Sequence, residues 1–123
     1  MGWGKDKTML MLLVMYVVFG VFMTLIAIPL VLEKIKPNGL YGFRVADTLN
    51  DERVWYATNK HFGVRLLVIS QCNILASVIL YVIPGLGLDT YALACLGVFV
   101  VAFWIGFAQS WRYMKSIVKN KSS

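Results

Sequence analysis

The sequence predicts an all-α membrane protein: three transmembrane helices, with an ordered interfacial loop and amphipathic helix between the first and second. Three observations predict this class. The 123 residues are 59% hydrophobic and only 15% charged, whereas soluble domains carry roughly 25% charged residues. The apolar residues are gathered in three long runs, and a polar, aromatic segment separates the first two runs. We therefore expect one membrane domain over residues 1–123, with the lipid bilayer as its first partner.

The first predicted span covers residues 9–32, which contain no charged residue before Glu33. A helix needs about 20 apolar residues to cross the hydrocarbon core. The apolar region of a signal peptide has only about 7–15 residues and precedes a small-residue cleavage site. This run is longer and has no convincing cleavage site, so we predict a retained span. Pro29 predicts a kink or the exit of the helix.

The segment from 33 to 63 is predicted to be ordered at the membrane surface. Pro37 cannot continue a helix, and Asn38-Gly39 is a strong turn dipeptide. Gly42 adds backbone freedom. Arg44 follows several apolar side chains and has two interpretations, which both stay open. It either extends to lipid phosphates or makes a bidentate contact that locks the loop.

An amphipathic helix is predicted next, with Thr48 or Asn50 as its N-cap. Trp55, Asn59 and Gly63 share one face of this helix because they are spaced by four residues. A single helix over residues 51–83 would be about 50 Å long, which exceeds a hydrocarbon core of about 30 Å. Its first third is therefore predicted to lie along the surface, bending near Gly63, or to project into the cytoplasm.

The second predicted span covers residues 64–83 and carries Ser70, Asn73 and Ser77 on one face. Polar side chains in a span usually hydrogen-bond to neighbouring helices. A polar pathway or a ligand site is the alternative interpretation of this face.

The third predicted span covers residues 90–111 and is followed by a basic tail at 112–123. A glycine-rich turn precedes it, and Asp89 or Thr90 is the predicted N-cap. Ala102 and Gly106 form a small-xxx-small pair that suits close helix packing.

Several function classes are disfavoured by the residue types present. The net charge is +6, but the cations flank the apolar runs and form no basic stripe interleaved with aromatics, so nucleic acid is not predicted. Cys72 and Cys95 lie inside apolar runs without metal-ligand spacing. His61 is the single histidine. No enzyme, metal site or cofactor is predicted, because no nucleophile–base pair or ligand cluster can be assembled.

The positions of the cations predict the orientation of the chain in the cell membrane. Cations are frequent between the first and second spans and in the tail, and the turn between the second and third spans has none. By the positive-inside rule the loop and the C-terminus are cytoplasmic and the N-terminus is outside. Lys5 and Lys7 argue mildly against this orientation.

The polar segment carries a series of residues in an unusual fixed order. This series consists of Pro37, Asn38, Tyr41, Gly42, Phe43, Arg44, Thr48, Leu49, Glu52, Val54, Trp55, Asn59 and Gly63. With these residues in this order, the segment resembles the SdpI family of small bacterial integral membrane proteins in its short three-span form. Family members commonly have Thr-Pro where this chain has Val45-Ala46.

The resemblance implies a non-enzymatic immunity or signalling protein. The best-known family member confers immunity to a secreted peptide toxin and holds a transcriptional repressor at the membrane. The motif loop is then the expected surface for a peptide toxin or repressor protein. Its motif residues are the candidates for partner contact or for a structural lock. Two alternatives stay open: an accessory subunit of a membrane complex or homo-oligomer, and a small transporter or channel element lined by the intramembrane polar face.

Overall fold

The structure, a computed structural model, describes residues 7–38 and 42–122. This part of the chain contains four helices and no strand: α1 (Lys7–Val31), α2 (Ala46–Leu49), α3 (Glu52–Tyr81) and α4 (Leu88–Ser122). The helices α1, α3 and α4 are long and apolar enough to cross a membrane. The predicted all-α fold with three transmembrane helices is confirmed.

The central helix is α3. Both α1 and α4 pack along α3, and they contact each other only sparingly. Glycines lie where the helices approach most closely. A Cβ atom on Gly63 would lie 3.1 Å from the carbonyl oxygen of Ala27 in α1, and one on Gly106 of α4 would lie 2.9 Å from Cδ1 of Ile69 in α3. Small residues allow this approach, which strengthens van der Waals packing between helices in lipid.

The amphipathic segment predicted before the second span is not a separate helix. It forms the first third of α3, which runs without interruption through Gly63 for 30 residues, or about 45 Å. The residues of the predicted basic tail likewise continue α4 to Ser122. Both helices are longer than a hydrocarbon core of about 30 Å. They extend beyond it at the end where α1 stops, which we call the loop end.

The helix starts differ from the predictions at two places. Asp51, rather than Thr48 or Asn50, is the N-cap of α3, and its carboxylate accepts a hydrogen bond of 2.9 Å from the backbone N–H of Arg53. Three of the four residues from Thr48 to Asp51 are of types that cap helices, and the Thr48 hydroxyl bonds to the backbone of Phe43 and Val45 instead. The helix α4 begins at Leu88, so Asp89 lies in its first turn instead of capping it.

Candidate functional site

The chain leaves α1 abruptly and is then fixed to the side of α3. Glu33 follows α1 with a φ of 58°, which turns the backbone away from the helix axis. Two residues later the carbonyl of Ile35 accepts a hydrogen bond of 2.7 Å from Nε1 of Trp55. The Trp55 side chain is completely buried. The indole therefore fixes the first part of the loop to α3.

Asn59 holds the second part of the loop through the backbone of Phe43. Its Oδ1 accepts a hydrogen bond from the Phe43 N–H, and its Nδ2 lies 3.5 Å from the Phe43 carbonyl and donates to the Trp55 carbonyl at 3.0 Å. Gly42 lies directly over this amide. Its φ is 106°, and a Cβ atom there would lie 2.6 Å from Oδ1 of Asn59. Only glycine combines this backbone conformation with this close approach.

Thr48, which lies in the short helix α2, bonds through its side chain to the same stretch of loop backbone. Its hydroxyl oxygen accepts a hydrogen bond of 3.0 Å from the Val45 N–H and lies 2.9 Å from the Phe43 carbonyl, to which it donates. The side chain is completely buried. Phe43 thus has both backbone polar groups bonded by buried side chains. We call Phe43, Thr48, Trp55 and Asn59 the loop anchor.

The loop anchor also reaches α4. The Phe43 ring packs on Phe62 and Phe107, with centroid distances of 5.3 and 5.2 Å. Outside this apolar contact, Nζ of Lys115 lies 2.7 Å from Oδ2 of Asp47. That ion pair is partly exposed and contributes at most about 1 kcal/mol. The loop is therefore held mainly by buried hydrogen bonds and by aromatic packing against both helices.

The remaining motif residues include two exposed ones, Arg44 and Pro37. Asn38 donates from Nδ2 to the Lys36 carbonyl at 2.7 Å, which closes a local turn. Tyr41 falls outside the described part of the chain. Val45, which stands at a position of the family's Thr-Pro, packs partly buried against the core.

A family model described as the SdpI/YfhL protein family matches residues 34–108. The chain belongs to this family. The match begins where the backbone leaves α1 and covers the loop, all of α3 and most of α4, which is more than half of the chain. No curated protein and no solved structure matches it. The SdpI/YfhL match and the three spans together make this a multi-pass membrane protein.

The intramembrane polar face of this SdpI/YfhL protein is bonded to both neighbouring helices. The Ser70 hydroxyl lies 2.8 Å from the hydroxyl of Thr24 in α1, and Asn73 donates from Nδ2 to the Tyr16 carbonyl at 2.9 Å. Ser70, Asn73 and Ser77 are all buried. The Ser77 hydroxyl donates to the Ile74 carbonyl of its own helix at 2.8 Å, while the Ser77 backbone carbonyl accepts a 2.9 Å hydrogen bond from the hydroxyl of Tyr91 in α4. The side chains of Ser70 and Asn73 therefore make interhelical contacts, and Ser77 does so through its backbone.

The α1 partners of this face were not singled out in the sequence, although a signal for them exists. Tyr16, Gly20 and Thr24 are spaced by four residues and so share one face of α1. This face is the only small-and-polar one in the first apolar run, which is the pattern expected where helices meet in lipid.

His61 is part of a second polar cluster at the loop end. Its Nδ1 lies 3.0 Å from the buried Ser110 hydroxyl, and its ring stacks on Tyr113 with a centroid distance of 4.4 Å. These contacts join the first third of α3 to the end of α4. Among the described residues, no group of three or more His, Cys, Asp and Glu side chains is arranged to hold a metal ion.

Proposed function

We propose that this SdpI/YfhL protein is a non-enzymatic immunity or signalling protein and that its loop end is the surface that meets a protein partner. The observation that carries the proposal is the arrangement of the loop on the helices. Buried side chains bond the loop backbone on the side that faces α3, while residues on the opposite side are exposed. The exposed residues, which we call the loop surface, are Arg44, Ala46, Leu49, Asn50 and Arg53.

The position of the loop surface supports contact with a protein rather than with lipid tails. Asp47 of α2 pairs with Lys115, which lies about 40 Å along α4 from Leu88 at 1.5 Å per residue. The hydrocarbon core is only about 30 Å thick. Leu49, whose exposed fraction is 46%, therefore lies beyond the acyl chains, where an apolar side chain flanked by arginines suits a protein interface.

The charge distribution supports a cytoplasmic position for this surface. The loop and the end of α4 carry the cations, and residues 82–87 between α3 and α4 carry none. The positive-inside rule then favours a cytoplasmic loop and C-terminus, with the N-terminus outside. A partner at the loop surface would be a cytoplasmic protein, such as a repressor held at the membrane.

The proposal is tested by substituting residues of the loop surface while leaving the residues of the loop anchor unchanged. Cells carrying Arg44→Ala with Leu49→Ser should lose protection against an antimicrobial peptide that becomes toxic when the gene is deleted. Arg112→Ala, which removes an exposed arginine of α4 outside the loop surface, is the matched control and should protect fully. Membrane levels of each variant are compared by immunoblot.

Two outcomes would overturn the proposal. One is deletion without any change in sensitivity across a broad panel of peptide toxins, together with unchanged transcription. The other is full protection by the double variant at normal membrane levels. Compartment-sensitive reporters at both termini check the orientation, and a reporter signal that places the C-terminus outside would remove the cytoplasmic partner.

A further inference from the structure

Two adjoining cavities open along α3, and Arg65 lines both. The first, of about 330 Å³, lies at the loop end between Glu33, Lys60, His61 and Tyr113, and we call it the polar cavity after these four side chains. The second, of about 270 Å³, runs between α3 and α4 toward the membrane centre. Its walls are mainly apolar side chains of the two helices, which include Val68, Ala102 and Ile105, and we call it the apolar cavity. Arg65 stands between the two cavities, with charged side chains lining the first and mainly apolar side chains lining the second.

The depth of Arg65 places the junction of the two cavities at the boundary of the hydrocarbon. Arg65 lies about 24 Å along α3 from the last helical residue, Tyr81. Gln109, which lines the same cavity, lies about 32 Å along α4 from the first helical residue, Leu88. The two lengths bracket a hydrocarbon core of about 30 Å. The polar cavity is therefore at headgroup depth and the apolar cavity at acyl-chain depth.

The cations of the polar cavity are not neutralised within the described part of the chain. Neither Lys60 nor Arg65 forms an ion pair there. The Nε of Arg65 is buried and has no hydrogen-bond partner, although a buried donor normally has one. Glu33 is the single carboxylate of the lining. With neutral His61 the formal charge of the lining is +1, which complements one phosphodiester.

We propose that the two cavities on either side of Arg65 together bind one anionic glycerophospholipid of the surrounding leaflet. Arg65 and Lys60 bind the phosphodiester, which guanidinium groups recognise through two parallel hydrogen bonds. One acyl chain lies in the apolar cavity, against Val68, Ala102 and Ile105. Basic pockets between membrane helices are known to select lipid headgroups in this way. The site is independent of the loop surface and of the function proposed for it.

The headgroup half of the site is tested by native mass spectrometry of the full chain in mild detergent with added lipids. Phosphatidylglycerol should bind about tenfold more tightly than phosphatidylcholine, and Arg65→Gln should remove this preference, since about 1.4 kcal/mol of charge-assisted bonding corresponds to a tenfold change. Arg112→Gln is the matched control and should leave binding within about twofold.

The acyl-chain half of the site is tested with Val68→Trp, which fills the apolar cavity from a lipid-exposed position. It should weaken phosphatidylglycerol binding several-fold. Val101→Trp adds the same ring at an exposed position of α4 outside both cavities and should not. Equal losses for Arg65→Gln and Arg112→Gln, equal binding of the two lipids, or displacement of lipid by millimolar inorganic phosphate would overturn the proposal. An unaffected Val68→Trp variant would overturn the acyl-chain assignment.

Discussion

The loop anchor and the intramembrane polar face are both built from buried polar side chains, but they bond different backbone groups. Asn59 and Thr48 bond the N–H and C=O of Phe43, which belong to a non-helical segment. Asn73 bonds a carbonyl inside α1, where the helix already provides a hydrogen-bond partner. Phe43 is buried, and irregular backbone that is buried away from water needs hydrogen-bond partners within the protein. The first set of bonds is therefore required for the structure, and the second set adds to helix packing.

The glycines also differ from one another, in whether an added Cβ atom would meet other atoms. Gly42 and Gly63 meet other atoms at the loop anchor and at the α1–α3 crossing, whereas a Cβ atom on Gly85 or Gly97 would have nothing within 4 Å. A close contact identifies the glycines whose missing side chain shapes the fold. Gly85 has a positive φ of 81°, so it serves backbone conformation alone, and Gly97 serves neither purpose in the described chain.

The largest effect is expected for Asn59→Leu. This change keeps the side-chain volume and leaves the Phe43 N–H buried without its acceptor, which destabilises a protein by about 2–3 kcal/mol. Unfolding in mixed micelles by titration with SDS should show this loss. Hydrogen exchange should show that the amides of residues 42–48 lose protection while those of the central turns of α3 keep it. Protected loop amides in the variant would show that Asn59 does not hold the loop.

Gly42→Ala is expected to have the next largest effect, and Gly85→Ala is its matched control. Alanine at Gly42 meets both a φ of 106° and the Asn59 oxygen at 2.6 Å, so we expect a loss of about 2 kcal/mol. Alanine at Gly85 meets only the backbone strain of a left-handed residue, about 1 kcal/mol. Thermal unfolding followed by tryptophan fluorescence separates the two. Equal losses would mean that the contact with Asn59 contributes nothing.

Gly63→Ala and Gly97→Ala form a third pair, both within helices. At Gly63 the added methyl meets Cβ of Leu30 at 3.0 Å and a backbone oxygen of α1, so α1 and α3 must separate and stability should fall by about 1–2 kcal/mol. At Gly97 the methyl enters open space, and the higher helix propensity of alanine should stabilise the chain by up to about 1 kcal/mol. Effects of the same sign, measured by SDS titration, would contradict this account of the crossing.

The sequence was sufficient to predict the three spans because a long apolar run in a bilayer forms a transmembrane helix. It was not sufficient to predict which face of each helix contacts protein and which contacts lipid. In a soluble helix the apolar stripe marks the buried side. In α1 the sides toward lipid and toward protein are both apolar, so hydrophobicity does not mark Tyr16 and Thr24 as partners of α3. Small and polar residues are the remaining signal in a span, and they mark Gly20 and Thr24 on α1 as they mark Ser70 and Asn73 on α3.

The loop anchor was predictable in its residues but not in its bonds. Asn59, Trp55 and Gly63 were placed on one helix face by their spacing, and the structure has Asn59 and Trp55 both bonded to the loop. The partner of that face was not predictable, because it depends on the backbone path from α1 to α3. The same limit applies to His61 and Ser110, which are 49 residues apart in the chain; no local pattern joins them.

The smallest effect is expected for Asn73→Leu, the counterpart of Asn59→Leu in mid-membrane. The change removes one hydrogen bond to a helical carbonyl, and interhelical bonds of this kind average about 0.6 kcal/mol. It also removes a buried oxygen, Oδ1, that has no hydrogen-bond partner among the described residues, and this partly offsets the loss. SDS titration should therefore give a change below about 1 kcal/mol, with exchange at residues 42–48 unaltered. If Asn73→Leu instead destabilised the protein as much as Asn59→Leu, a bond to a helical carbonyl would matter as much as one to irregular backbone, and the distinction between the two regions would be lost.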